Sequence, residues 1–203
     1  MSGQVRVVIV EDQKMMLAAL AALIATHDGM SVAGTFHDPN AALAAIRTLK
    51  PGVVVADIQM PGLSGLDLAR AIRSEGQSCG IVLLSTFARG GYVEQAMKLG
   101  VHGYLLKEAA PERLIEAIKG AAAGRRQIDS ALLELASEGR DPLSERDRVL
   151  LGFARDGYSN ADIAGVLSLS EGTIKNQMSA ILLSIGAKNR VEAVRIAERK
   201  GWI

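Results

Sequence analysis

Four short apolar runs in this chain end in residues that can do chemistry. Glu11-Asp12 follows residues 5–10, Asp57 follows 53–56, Ser85-Thr86 follows 81–84, and Lys107 follows 103–106. A single acid ending a strand is ordinarily a solvated surface group. Acids ending two strands, a hydroxyl ending a third and an ammonium ending a fourth, all on one rim, indicate a site. Three carboxylates drawn together repel unless they are neutralised. A hard octahedral cation such as Mg²⁺ does this while keeping several waters. A metal held there could bring in a phosphoryl group for Asp57 to attack as nucleophile, giving an acyl phosphate. Ser85 could then hydrogen-bond a phosphoryl oxygen, and Lys107 could offset the developing charge.

The elements needed to gather these residues are legible in the pattern. Strands are expected at residues 5–10, 31–35, 53–56, 81–84 and 103–106, and four of them are near-continuous apolar runs suited to burial on both faces. Helical spacing of apolar residues occupies 13–26, 39–49, 65–75, 91–99 and 111–123. Pro51-Gly52, Pro61-Gly62, Gly90-Gly91 and Gly100 punctuate the alternation. Five strands alternating with five helices predict an α/β, flavodoxin-like (βα)5 domain with parallel sheet order 2-1-3-4-5. In that order strands one and three flank the switch point, where ligands sit beyond the carboxyl ends of the strands.

Beyond residue 124 the strand signal stops. Residues 125–141 read as a linker, with a short helix expected at 130–137. Residues 142–203 carry four helical segments, near 145–155, 160–167, 171–185 and 191–199, an all-α unit. Ser144 and Ser159 are placed to cap the first two, with Asp147 and Asp162 three residues on. The second and third segments, joined by Ser168-Leu169-Ser170, form a helix-turn-helix pattern whose inward faces carry Ile163, Ala164, Leu167, Ile174, Met178, Ile181 and Leu182. The outward N-terminal half of the third segment offers Thr173, Lys175, Asn176 and Ser179, side chains that suit a major groove. A structural four-helix bundle with a solvated polar face fits the periodicity equally well.

The motifs themselves carry a resemblance. Glu11-Asp12, Asp57-Ile-Gln-Met-Pro61-Gly-Leu-Ser-Gly65, Leu84-Ser85-Thr86 and Gly103-Tyr104-Leu-Leu-Lys107 resemble the receiver domains of two-component response regulators, over about residues 4–123. The resemblance implies that Asp57 is the phosphorylation site, and that Glu11, Asp12, Asp57 and the backbone carbonyl of Gln59 hold Mg²⁺. It further implies that Ser85 and Tyr104 form a switch pair, Ser85 turning toward the phosphoryl group and Tyr104 swinging inward behind it. Leu143-Ser-Glu-Arg146, Asn160-Ala-Asp-Ile163-Ala164, Ser170-Glu-Gly-Thr173-Ile-Lys175-Asn176 and Asn189-Arg190-Val-Glu-Ala193 are similar to the LuxR/NarL-type DNA-binding domain. Here the resemblance implies Lys175, Asn176 and Ser179 nearest the bases of double-stranded DNA, with Thr173, Lys188 and Asn189 on the backbone. It also implies a last helix that dimerises, and Gln177, Leu183 and Ser184 depart from the histidine and basic residues usual in that family. Within the family, Glu11-Asp12-Gln13-x-Met15, Phe87-Ala88-Arg89 and the ending Lys200-Gly-Trp202 are similar to regulators of desaturase expression that respond to membrane fluidity.

Bulk composition constrains the alternatives. Net charge is +1, with 11 basic and 11 acidic residues in 1–124 and 9 and 8 in 141–203, so any DNA reading rests on local geometry. No apolar run approaches the ~20 residues of a membrane span. Met-Ser-Gly-Gln at the start shows no leader pattern, and the single Cys79 cannot form an internal disulfide, so a reducing cytoplasm is expected. A phosphatase working through an aspartyl phosphate would need a second acid two residues after the nucleophile, and Gln59 stands there; no enzyme is expected. An adaptor binding protein is a further alternative, against which the polar face of residues 171–179 argues. The expected function is a transcription factor phosphorylated on Asp57 by a sensor histidine kinase and forming a homodimer when phosphorylated, with no membrane partner.

Overall fold

The computed structural model describes residues 4–129, 132–134 and 141–203. The chain divides into two compact units, one of residues 1–88 and 93–134, the other of 89–92 and 135–203.

From residue 5 the chain alternates β1 (Val5–Val10), α1 (Lys14–Ala25), β2 (Met30–Phe36), α2 (Pro39–Leu49), β3 (Val53–Asp57), α3 (Gly65–Ser74), β4 (Gly80–Ser85), α4 (Gly90–Lys98), β5 (Gly103–Leu106) and α5 (Pro111–Ala122). All pairings are parallel, in the order β2-β1-β3-β4-β5 that the pattern predicts, with one addition. A short β6 (Gln127–Ile128) joins the edge beside β5, in register Gly103↔Gln127 and Tyr104↔Ile128. It lies inside the segment expected as linker. Two residues are too few to show periodicity, and tertiary pairing alone makes them a strand. The short helix expected at residues 130–137 falls largely outside the described residues; Leu132–Glu134 are helical.

Strands β3 and β4 are buried along their whole length. Val7, Ile9, Val53, Val55, Val82 and Leu84 pack on Leu20 and Ile24 of α1 and Leu114 and Ile118 of α5 in an aliphatic core. α3 is fixed by a reciprocal capping box, in which Ser64 accepts from the Asp67 N–H and Asp67 accepts from the Ser64 N–H. Its first residue must be glycine: a Cβ on Gly65 would stand 2.1 Å from the carbonyl oxygen of Asp57.

The second unit holds α6 (Glu145–Arg155), α7 (Asn160–Leu167), α8 (Glu171–Ile185) and α9 (Arg190–Lys200). Leu150, Ile163, Ile174, Met178, Ile181, Ala193 and Trp202 form its core. Serine capping boxes start α6 and α7, and Ser170 caps α8 by accepting from the Thr173 N–H. Ser168 turns the chain between α7 and α8 in the left-handed region, with φ of 53°. Asp141, at the expected edge of the linker, is in fact built into this unit. It accepts from the Leu143 N–H and pairs with Arg148 at 2.6 Å, with its side chain only 1% exposed.

Candidate functional site

The parallel register brings the strand ends to one rim. Glu11 follows β1, Asp57 closes β3, Ser85 closes β4, and Lys107 follows β5; Glu11, Asp57 and Ser85 are buried. Lys107 Nζ lies 2.9 Å from Glu11 Oε2 and 2.9 Å from Asp57 Oδ2, bridging two carboxylates with one ammonium. Asp12 completes the group, so that one carboxylate oxygen from each of Glu11, Asp12 and Asp57 lies within 4.8 Å of the others.

The electrostatics are unbalanced. Burial pushes the Glu11 carboxyl above its ordinary value, only partly opposed by the hydrogen bond from Lys107. Burial raises Asp57 likewise, against the pull of Lys107 and of the Gln59 backbone N–H, and the Asp12 charge raises it further. Burial would lower Lys107, but its hydrogen bonds to Glu11 and Asp57 outweigh this and hold the ammonium above its ordinary value. Three carboxylates against one cation leave a local excess of two negative charges. Among the described residues Asp12 Oδ1 and Asp57 Oδ1 are buried without a hydrogen-bond partner, an arrangement that costs free energy unless a further positive group is supplied. Hard oxygen donors with unused lone pairs and an excess of two charges fit Mg²⁺.

The remaining residues singled out in the sequence lie close in the chain to this cluster. Gln59 is half-buried two residues past Asp57. The Ser85 hydroxyl donates to the Phe87 carbonyl at 2.9 Å and accepts from the Phe87 N–H. Tyr104 is fully buried, already in the inward position that the resemblance has it take, and its hydroxyl lies 3.5 Å from the same Phe87 carbonyl. Ser85 and Tyr104 therefore meet at one acceptor. Thr86 is exposed. Sequence reasoning quoted Gly65 only as part of a motif; its contact with the Asp57 backbone becomes visible once α3 is placed.

In the second unit Thr173, Lys175, Asn176 and Ser179 are all exposed on α8, and Lys188 and Asn189 are exposed in the turn before α9. Several are also engaged locally. Ser179 donates to the Lys175 carbonyl, Thr173 shares a hydrogen bond with Ser170, and Asn189 caps α9 by accepting from the Glu192 N–H. Gln177 reaches across to Asp147 of the α6 capping box at 3.2 Å, a tie between α8 and α6 that the sequence did not suggest. Among the described residues no helix is long and apolar enough to cross a membrane.

Comparisons with known proteins agree with this geometry. Residues 7–119 match the response regulator receiver domain, and residues 141–197 match the bacterial regulatory proteins of the luxR family. The chain is 41% identical to the uncharacterized transcriptional regulatory protein YvfU of Bacillus subtilis, covering 98% of this chain and 100% of that one. It is 38% identical to the transcriptional regulatory protein DesR of the same organism, covering 98% of each. Among solved structures, the response regulator RcsB in complex with DNA matches with a TM-score of 0.65 at 22% identity, over 97% of this chain and 99% of that chain, a likeness of fold. A buried aspartate in an acidic strand-end cluster, a helix-turn-helix unit behind it in the chain, and relatives matched from end to end lead to one conclusion: this chain belongs to the two-component response regulators that join a receiver domain to a LuxR-type DNA-binding domain and act as transcription factors.

Proposed function

We propose that residues 1–124 receive a phosphoryl group on Asp57 and residues 142–203 bind double-stranded DNA in response, with 125–141 connecting them. The observation that carries this reading is the convergence of Glu11, Asp12 and Asp57 around an unbalanced charge, with Lys107 bridging two of them. The donor is the phosphohistidine of a sensor kinase. An Asp57 oxygen attacks phosphorus, the P–N bond breaks as the P–O bond forms, and the imidazole leaves and takes up a proton. Glu11, Asp12, Asp57 and the Gln59 carbonyl would hold Mg²⁺, which supplies positive charge against the phosphoryl oxygens. Lys107 exchanges its bond to Asp57 for one to a phosphoryl oxygen. The Ser85 hydroxyl then leaves the Phe87 carbonyl for the phosphoryl group, and Tyr104 stays packed inward behind it.

In the second unit Lys175, Asn176 and Ser179 approach base edges, while Thr173, Lys188 and Asn189 approach phosphates. Phosphorylation promotes pairing of two chains through α9, which sets two recognition helices on paired half-sites. The protein is a switch that works in the cytoplasm and turns over no outside substrate, consistent with Gln59 in place of a second acid. Fragments of the organism's own genome, selected with phosphorylated and unphosphorylated protein, test the reading. Phosphorylated wild type should enrich defined operators, and Lys175→Ala should lose them while keeping its fold. Equal recovery by wild type and Lys175→Ala would remove α8 from DNA recognition.

A further inference from the structure

Leu183 stands out on the surface of the second unit. It is 86% exposed, as much as any large apolar side chain described in the chain. Ile174, Met178 and Ile181 bury one side of α8 in the core at 0%, 6% and 2% exposure, and Leu183 points to the other side. At 3.6 residues per turn, Leu183 lies about 20° around the axis from Asn176, seven residues earlier, and ~10 Å further along it. Ser179 and Ala180, both exposed, fill the turn between them. Asn176, Ser179, Ala180 and Leu183 therefore form one outward stripe.

The chemistry of the last position differs from the rest. A leucine side chain has no donor or acceptor, so it can bind neither a phosphate nor the polar edge of a base. In the major groove the apolar feature offered by a base pair is the C5 methyl of thymine. We infer that Leu183 is a specificity-determining residue that reads a thymine methyl group further along the groove than the base faced by Asn176. The inference rests on the proposal that α8 enters the major groove, and adds the base class recognised at its far end.

Deoxyuridine provides the test, because it differs from thymidine only in lacking that methyl. The full chain, treated with acetyl phosphate and Mg²⁺, first selects a duplex from a randomised pool. Each thymidine of that duplex is then replaced in turn by deoxyuridine, and affinity is measured for wild type, Leu183→Ala and Lys175→Ala. At one thymidine per half-site, loss of the methyl should weaken wild type about fourfold, equivalent to ~0.8 kcal/mol for one buried carbon. The same replacement should leave Leu183→Ala unchanged. Leu183→Lys should bind unrelated duplexes more tightly and steepen the salt dependence by about 0.9 per added phosphate contact, with no preference for the methyl. Identical deoxyuridine profiles for wild type and Leu183→Ala would overturn the inference, as would a Leu183→Ala variant whose altered self-association accounts for its whole binding defect. If Lys175→Ala still weakens binding in those cases, the DNA reading stands. If wild type enriches no duplex at all, both fail together.

Discussion

Replacing Asp12 by asparagine should make the metal-free protein more stable. Asp12 Oδ1 is buried with no hydrogen-bond partner among the described residues, and its charge pushes the neighbouring Asp57 carboxyl up. The ligand oxygens of Glu11, Asp12 and Asp57 lie within 4.8 Å of one another. Two unit charges at that distance repel by roughly 3.5 kcal/mol at an effective dielectric constant of ~20. Spreading each charge over two oxygens, and partial solvent access at Asp12, reduce this to about 1–2 kcal/mol. For a domain of this size that corresponds to a rise in Tm of roughly 4–8 °C. The assay is thermal unfolding of the full chain in chelator and again in Mg²⁺. At a hundredfold excess over its Kd, Mg²⁺ should add about 2.7 kcal/mol to the wild type, and much less to Asp12→Asn, which has lost a charged ligand. The variant should therefore melt above wild type in chelator and lose that lead in Mg²⁺. A variant that melts below wild type in chelator, or gains as much from Mg²⁺, would refute the reasoning.

Further outcomes follow from other contacts. Gly65→Ala should destabilise the receiver by more than about 2 kcal/mol and slow modification of Asp57, because a Cβ 2.1 Å from the Asp57 carbonyl must displace backbone; stopped-flow phosphorylation and denaturant unfolding both report it. Ser144→Ala should cost the second unit about 1 kcal/mol by removing the α6 cap, measured by urea unfolding. His102 accepts the Ile81 N–H at Nδ1, and burial, then Arg73 and Arg126, hold its pKa below the ordinary value of 6.5. The unfolded chain therefore binds the proton first, so receiver stability should be full above pH ~6.5 and fall as pH drops below it. His102→Gln should flatten that decline; a variant with an unchanged pH profile would show that His102 does not cause it.

What the sequence disclosed depended on how local the signal was. The β-branched runs ending in Glu11, Asp57, Ser85 and Lys107 are local patterns, and parallel topology turned them into a site without further information. β6 could not be read, because Gln127 and Ile128 become a strand only by pairing with Gly103 and Tyr104, some two dozen residues away. The same holds for Asp141. Its charge looked like part of a polar linker until Arg148, one helical stretch later, closed the ion pair. On α8 the exposed residues were legible from period 3.6, but Gln177 was read as a departure from a family pattern. Its reach to Asp147 depends on how α8 packs against α6. Side-chain conformations were least accessible: that Ser85 and Tyr104 meet at the Phe87 carbonyl follows from loop geometry that no spacing rule encodes.

Acid-stable trapping of the acyl phosphate, followed by mass analysis, addresses the core of this account. After incubation with acetyl phosphate and Mg²⁺, borohydride reduction should mark a single residue, Asp57. Chelator should abolish the mark, and Asp57→Asn should carry none. Equal labelling of wild type and Asp57→Asn, or labelling indifferent to Mg²⁺, would mean that the clustered carboxylates are not where the phosphoryl group is taken up.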